Sequence, residues 1–316
     1  MIKKLLFIGI VLSTLVGCNE DFLDTSPQSA ISSANVWTND ANATMALNGV
    51  YANFRDPAFN NSTFFFTYIG PDGYNYNKKG SIASATTTAE NGDFRRKYRK
   101  PYQCIGRAND AIFNLTDNAN VTETLRERYI GEAKFIRSFC YFRLWALYGG
   151  LILLDKPTPI TETFALPRSS SEEVKQFLIN DFTDAIARLP VAYSSGSDVG
   201  RATKGAAQAM LAKVYLYSEE WDKAAEEFEK LQNQPYSYDL HPNFSELFNF
   251  TTERNDEYIF GVEEISYEGL GSENDFEYGG RSLNSSGWSE VSVSWNTIKS
   301  YENQDGSAID ISDMPL

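Results

Sequence analysis

Histidine is almost missing from this 316-residue chain, where His241 stands alone. Cysteine occurs three times, at Cys18, Cys104 and Cys140, and no Cys/His cluster has the spacing of a metal site. A Gly-x-Ser-x-Gly elbow and a Gly-rich phosphate loop are also absent, so esterase-type and nucleotide-dependent chemistry have no foothold. His241 precedes Pro242 in a turn and reads as a packing or surface residue rather than a general base. Paired carboxylates for glycoside hydrolysis stay open, because acids are plentiful and their separation is not visible in sequence. We therefore assign no catalytic residue, no metal and no cofactor. Positive charge is short as well: 28 Lys and Arg face 42 Asp and Glu, for a formal charge of -14. Such a chain repels nucleic acid and anionic lipid surfaces.

Long apolar runs are limited to one, Leu5 to Leu15, which is too short to span a bilayer. Lys3 and Lys4 precede it, and Leu15-Val16-Gly17-Cys18 closes it with small residues before a cysteine. This is the pattern of a bacterial lipoprotein signal, cleaved before Cys18 with acylation of that residue. An ordinary secretory signal, with Cys18 incidental, is the alternative. More than one acyl chain is needed for firm anchoring, and the lipid is the only membrane contact expected. Cys104 and Cys140 fall among apolar residues in helical stretches. Each reads as a small buried hydrophobe, with one disulfide between them as the alternative.

Residues 19–37 are polar and irregular and read as a tether. Helices are predicted over about 39–54, 101–117, 122–148, 170–189, 203–217 and 219–232. In the third, Ala133, Ile136, Cys140, Leu144 and Leu147 line one face, while Phe135, Phe139, Phe142 and Ala146 line another, so it is buried on most sides. Glu132, Arg137 and Arg143 on this helix read as a pairing network between stacked helices. Ser170 and Glu173 form a capping box. Leu211, Ala212 and Tyr215, with Ala224 and Phe228, have the spacing of a tetratricopeptide repeat, whose small residues let antiparallel helices approach closely. Residues 57–93 carry Gly, Asn, Thr and aromatics without helical period; a loop this long is usually functional. Beyond Pro235, 236–240 and 257–265 look like short strands around a brief helix at 244–248. Residues 266–290 read as loop, and a last helix spans about 294–302.

These segments together resemble the RagB/SusD family of surface lipoproteins that capture nutrients for TonB-dependent transporters. The resemblance rests on Cys18-Asn-Glu-Asp-Phe-Leu-Asp, Ile105-Gly-Arg-Ala-Asn-Asp-Ala-Ile, Ile130-Gly-Glu-Ala-Lys-Phe-Ile-Arg and Leu147-Tyr-Gly-Gly. Pro167-Arg-Ser-Ser, Gly200-Arg-Ala-Thr-Lys-Gly-Ala-Ala, Asn255-Asp-Glu-Tyr-Ile-Phe and Tyr301-Glu-Asn-Gln-Asp-Gly follow in order. Two departures stand out. Leu151-Ile152 replaces the usual Val-Pro or Ile-Pro step, and family members continue well past Asp305-Gly306. The chain is thus expected to be incomplete, as a fragment or a frameshifted or shortened member.

The resemblance implies a mainly α fold: a tetratricopeptide-like helical-repeat scaffold carrying a loop-rich, partly β, ligand-facing region. It divides the chain into a signal peptide (1–17), a lipid-anchored tether (18–37) and a helical scaffold (38–235) with a ligand loop at about 57–100. A mixed, loop-rich region follows (236–316). It implies a binding lipoprotein, not an enzyme. Such a protein sits on the outer membrane facing the exterior, where Glu20-Asp21 after the acylated cysteine acts as an export signal. It would pass a glycan or other nutrient oligomer to a SusC-like TonB-dependent transporter. A peptide ligand, a protein-interaction scaffold and a glycoside hydrolase are the other readings.

Sugars are held by aromatic rings against their C–H faces and by Asp, Asn and Arg on their hydroxyls. Asp72, Tyr74, Asn75 and Tyr76, in the turn-rich segment from Gly70 to Asn77, have that composition. Asp72 also falls roughly where sugar-binding relatives place a contacting acid. Phe94, Arg95 and Arg96, expected just before the first long helix, and Trp288 complete the candidate set. For each, a turn-former or an aromatic packed under a loop is the plainer alternative.

Overall fold

The computed structural model describes residues 36–56, 70, 72–75, 86–88, 90–194, 196–261 and 291–310. Cys18, Tyr76, Trp288, the expected tether up to residue 35 and the loop expected over 266–290 lie outside the described residues. For Tyr74 and Asn75 only the backbone is described.

Asn39 caps the first helix, α1 (Asp40–Tyr51), accepting from the Asn42 amide at 2.9 Å. Ala43, Leu47 and Val50 recur at helical spacing and are all buried. A 3-10 turn, Ala52–Arg55, follows, and Asp56 turns extended before Pro57.

The second helix, α2 (Gly92–Leu115), starts nine residues earlier than expected and carries Pro101 inside it. The proline lacks an N–H and so fits a first turn, which is why the sequence points to a helix start there. Tertiary contacts hold the turns before it. Lys100 reaches Asp56 at 2.6 Å, Arg96 reaches the same carboxylate at 3.5 Å, and Tyr98 packs on Tyr148 with ring centroids 5.2 Å apart. Residues 92–100, expected to belong to a ligand loop over 57–100, are therefore helical, and Phe94, Arg95 and Arg96 lie on a helix rather than ahead of one.

The third helix, α3 (Glu123–Tyr148), is the axis of the molecule and packs against α2. Its expected burial holds for Ala133, Phe135, Ile136, Cys140, Phe142 and Leu144, while Phe139 and Leu147 are half-buried. Ala146 is a correction: it is exposed, because in the last turn α3 no longer has neighbours on all sides. The helix stops at Gly149, with φ 69°. A short turn, α4 (Ile160–Thr163), precedes α5 (Ser171–Arg188). The capping box of α5 is formed as expected, with Ser170 accepting from the Glu173 amide and the Glu173 carboxylate accepting from the Ser170 amide.

Thr203 caps α6 (Lys204–Tyr217), and a three-residue turn leads to α7 (Trp221–Leu231). Leu211, Ala212 and Ala224 are buried and Tyr215 and Phe228 half-buried between them, the close packing the repeat pattern predicts. Successive helices pack as neighbours, α3 on α5, α5 on α6 and α6 on α7, while α1 covers α2 and α3. One hydrophobic core runs through this stack from Trp37 to Val214, and its largest fully buried side chains include Tyr129, Tyr141, Phe135 and Phe182.

After Pro235 no strand forms at 236–240, nor at 257–261, the described part of the strand expected over 257–265, and the Asp239 N–H donates to the Asp256 carbonyl at 3.2 Å. The brief helix is a 3-10 turn at Phe244–Phe248, and the last helix is α8 (Trp295–Ser300), capped by Ser294. The two described strands lie elsewhere, β1 (Gly73–Asn75) and β2 (Val291–Val293), antiparallel with Gly73 opposite Val293 and Asn75 opposite Val291. Among the described residues no helix is long and apolar enough to cross a membrane, and no three His, Cys, Asp or Glu side chains are grouped to hold a metal.

Candidate functional site

Two buried polar networks fix the scaffold. Arg137 donates through Nε and Nη2 to both carboxylate oxygens of Asp181 at 2.8 Å, and through Nη1 to Asn109 Oδ1 at 2.7 Å and the Asp155 carbonyl at 2.9 Å. Glu132, fully buried, takes Tyr51 at 2.8 Å and Arg201 at 3.1 Å, with the Arg128 guanidinium 3.2 Å away. Burial and the Glu132 carboxylate push the Tyr51 hydroxyl well above its usual range, so it remains a donor. Arg143 lies over the Phe139 ring at 5.8 Å. Arg137 and Glu132 with their partners tie α1, α2, α3 and α5 together, as the pairing-network reading expects of them, whereas the ring contact of Arg143 stays within α3. Cys104 and Cys140 are buried free thiols. Burial, then the adjacent Cys104, raises Cys140 well above its ordinary value and keeps it protonated. His241 Nδ1 accepts from the Asn243 amide at 3.3 Å, a turn-packing role.

The strand pair gives the 70–75 segment its setting. The Asp72 carbonyl accepts from Ser294 N–H at 2.9 Å and from Thr297 Oγ1 at 3.0 Å, and its own side chain is exposed. Asp72 is thus pinned to the first turn of α8, whose leading residue Trp295 is 41% exposed and is followed by Tyr301 at 64%. Trp295 and Tyr301 are exposed aromatics that sequence reasoning passed over in favour of Trp288. The available signal was the Ser294 cap, which places Trp295 at a helix start beside polar residues.

Phe94, Arg95 and Arg96 occupy the first turns of α2. The Phe94 carbonyl accepts from the Tyr148 hydroxyl at 2.9 Å, Arg95 is exposed, and Arg96 is drawn to Asp56. Phe94, Tyr98 and Tyr102 recur every fourth residue along one face. Tyr98 meets Tyr102 at 5.1 Å, and Tyr102 meets Tyr141 at 6.1 Å, giving a ladder of tyrosines at the junction of α2 and α3. Burial, then neighbouring Tyr98, pushes Tyr148 up to about 12. Tyr98, the outermost ring, is 37% exposed. This fourfold spacing is legible once helix α2 is extended through Pro101.

Comparison with known proteins matches this architecture. A family model described as SusD-like, starch-binding associating with outer membrane, matches residues 21–216. A SusD-like protein of Bacteroides ovatus is 27% identical over 284 residues, covering 83% of this chain and 50% of the relative. Among solved structures, a SusD-like carbohydrate binding protein from Bacteroides fragilis superposes with TM-score 0.79 at 23% identity, covering 89% of this chain and 56% of that one. Surface glycan-binding protein A from Bacteroides thetaiotaomicron, in complex with laminarihexaose, superposes with TM-score 0.70 at 18% identity over 84% of this chain and 62% of that one. The chain spans about half the length of the curated relatives it matches. With the family model covering more than half of it, the chain belongs to the SusD-like family.

Proposed function

We propose that the protein binds a glycan at the cell surface and hands it to a TonB-dependent outer-membrane transporter, without cleaving it. The observation that carries this reading is the pinning of exposed Asp72 to the helix start that presents Trp295. An acid that accepts sugar hydroxyls beside a ring that covers sugar C–H bonds is a minimal saccharide contact. We carry Tyr74, Asn75, Tyr76 and Trp288 forward as further candidate contacts for the glycan, and Phe94, Arg95 and Arg96 as a second set. The carbohydrate-binding description of the Bacteroides fragilis neighbour and the laminarihexaose bound to the Bacteroides thetaiotaomicron neighbour support the ligand class. On this reading residues 1–17 are removed, Cys18 carries the lipid, 18–37 form the tether, and the protein faces outward from the outer membrane.

Calorimetric titration of the purified protein with laminarihexaose and a panel of neutral oligosaccharides tests the ligand. Binding that weakens about tenfold in Asp72→Ala and in Trp295→Ala, a loss of ~1.4 kcal/mol each, is the expected result. A peptide-only response, or glycan binding indifferent to both substitutions, overturns the site. Mass spectrometry of membrane-extracted protein reads the lipid on Cys18, which Cys18→Ala removes.

A further inference from the structure

Acids outnumber bases 42 to 28, so a lysine in this chain has an excess of carboxylates to choose from. On the scaffold that choice is made. Lys100 reaches Asp56 at 2.6 Å, Lys134 reaches Asp184 at 2.8 Å, and Lys230 reaches Glu227 at 2.7 Å. Lys223 pairs with Glu220 and also lies over the Tyr215 ring at 5.4 Å. Lys299, in α8, does neither. It is exposed, and among the described residues no hydrogen bond, ion pair or ring contact engages its ammonium. Lys156, between α3 and α4, is exposed and unpaired as well, so what sets Lys299 apart is its company.

Lys299 stands four residues after Trp295, so the two share a face of α8 one turn apart. Trp295 is 41% exposed, and among the described residues neither its indole N–H nor its ring has a partner. Lys299 does not fold back over that ring as Lys223 does over Tyr215, so the ring is not covered by its own lysine. Asp72 meets the same helix at its first turn, where its carbonyl accepts from Ser294 N–H at 2.9 Å and from Thr297 Oγ1 at 3.0 Å. The Asp72 carboxylate is exposed and unbonded. Asp72 and Lys299 carry opposite charges on one short helix, yet no ion pair joins them. A carboxylate only accepts and an ammonium only donates, whereas a sugar hydroxyl does both. A pyranose laid on Trp295 therefore has an acceptor towards the start of α8 and a donor one turn further on, each charged and so forming the stronger kind of hydrogen bond.

We infer that Lys299 is a third glycan contact of this site, donating to hydroxyl oxygens of the sugar unit that covers Trp295. The inference rests on the saccharide reading of Asp72 and Trp295. It makes the site balanced in charge and suited to an uncharged unit with hydroxyls at both edges. Laminarihexaose, maltohexaose, cellohexaose and xylohexaose, titrated calorimetrically into the full chain and its variants, test it. Lys299→Met keeps the length of the side chain and removes the donors, so each probe that binds the parent chain binds about five- to tenfold more weakly. Lys299→Arg keeps donors and recovers most of that loss. Both variants melt at the parent temperature, since Lys299 makes no bond in the fold. Lys156→Met, which removes the same charge elsewhere, leaves affinity unchanged. Weakening in Asp72→Ala and Trp295→Ala but not in Lys299→Met overturns the inference and leaves the site standing. An equal loss in Lys156→Met also overturns it, as does a Lys299→Arg affinity no better than that of Lys299→Met. If no probe binds, or none of the three site substitutions weakens binding, the saccharide reading itself falls and takes the inference with it.

Discussion

Replacing Asp181 by alanine tests the central joint of the scaffold. Arg137 is 4% exposed and Asp181 5%, so the guanidinium reaches almost no water. Three of its hydrogen-bonding nitrogens are engaged, two by Asp181 and one by Asn109 and the Asp155 carbonyl, while the Phe177 ring lies 5.0 Å from the guanidinium. Asp181→Ala removes the only carboxylate bonded to this cation among the described residues and leaves Ser138 Oγ without its acceptor at 3.1 Å. Lys134, 3.9 Å from Asp181, is held by Asp184 at 2.8 Å and is not left stranded. Breaking one side of a buried pair costs about 3–5 kcal/mol, because the remaining charge stays in a medium that cannot solvate it. That is at least about a fifth of the stability of a typical domain, roughly 5–15 kcal/mol. The double variant Arg137→Met/Asp181→Leu removes both charges and keeps the volume, so its cost is expected to be far smaller than the sum of the singles. Urea titration followed by far-ultraviolet circular dichroism measures Asp181→Ala and the four corners of the cycle: wild type, Arg137→Met, Asp181→Leu and the double variant. A single-variant cost below about 1 kcal/mol, or additive singles with no coupling, would refute the account of this pair as a buried, mutually dependent joint.

Acid should weaken the fold in a defined window. Burial opposes ionisation of Asp184 and Asp198, but Arg188 and Lys134 around the first, and Arg128 and Arg201 around the second, hold both below their ordinary 3.8. Ser170 holds Glu173 below its ordinary 4.5. Carboxyls depressed in the fold stabilise it above their unfolded values and lose that contribution as pH falls through the folded ones, so Tm is level from pH 7 to about 5 and falls below about 4. Asp184→Asn should lower Tm at pH 7 and flatten the acid limb; an unchanged limb contradicts the assignment. Gly205→Ala places a methyl 2.3 Å from the Tyr238 hydroxyl and 2.6 Å from its ring. The expected outcome is a loss of about 1–3 kcal/mol in thermal or urea unfolding, because Tyr238 must shift to make room.

The helical scaffold was largely legible because its signals are local. Asn39, Ser170 and Thr203 each sit one residue before a helix and cap it, and the 3.6-residue spacing of Val174, Leu178 and Phe182 marks the buried face of α5. Local signals failed where distant residues decide the conformation. Gly92 to Lys100 are helical because Asp56 and Tyr148 hold them, and no residue in that stretch announces it. The strands failed for the same reason. Val, Ile and Tyr content drew attention to 236–240 and 257–265, whereas Gly73–Asn75, poor in such residues, becomes a strand because Val291–Val293 supplies its partner. The candidate site shows both cases. Asp72 was visible from its turn-rich neighbourhood, but its neighbour Trp295 depends on a pairing that no local pattern encodes.

That pairing has a kinetic consequence. Thr297 and Asp72 are 225 residues apart in sequence, while each helix of the stack finds its partner in the next one along. Neighbouring helices can dock as soon as both exist, and closing a long loop gains nothing until both ends are present. A chain folding as it is synthesised would therefore complete the helical body first, with the segment around Asp72 waiting for α8. The body becomes a template that is rigid first, and the β1–β2 pair with α8 is the last part of the described molecule to assemble. Pulsed proteolysis during refolding should find the Asp72 segment cleavable after α3 and α5 are already protected.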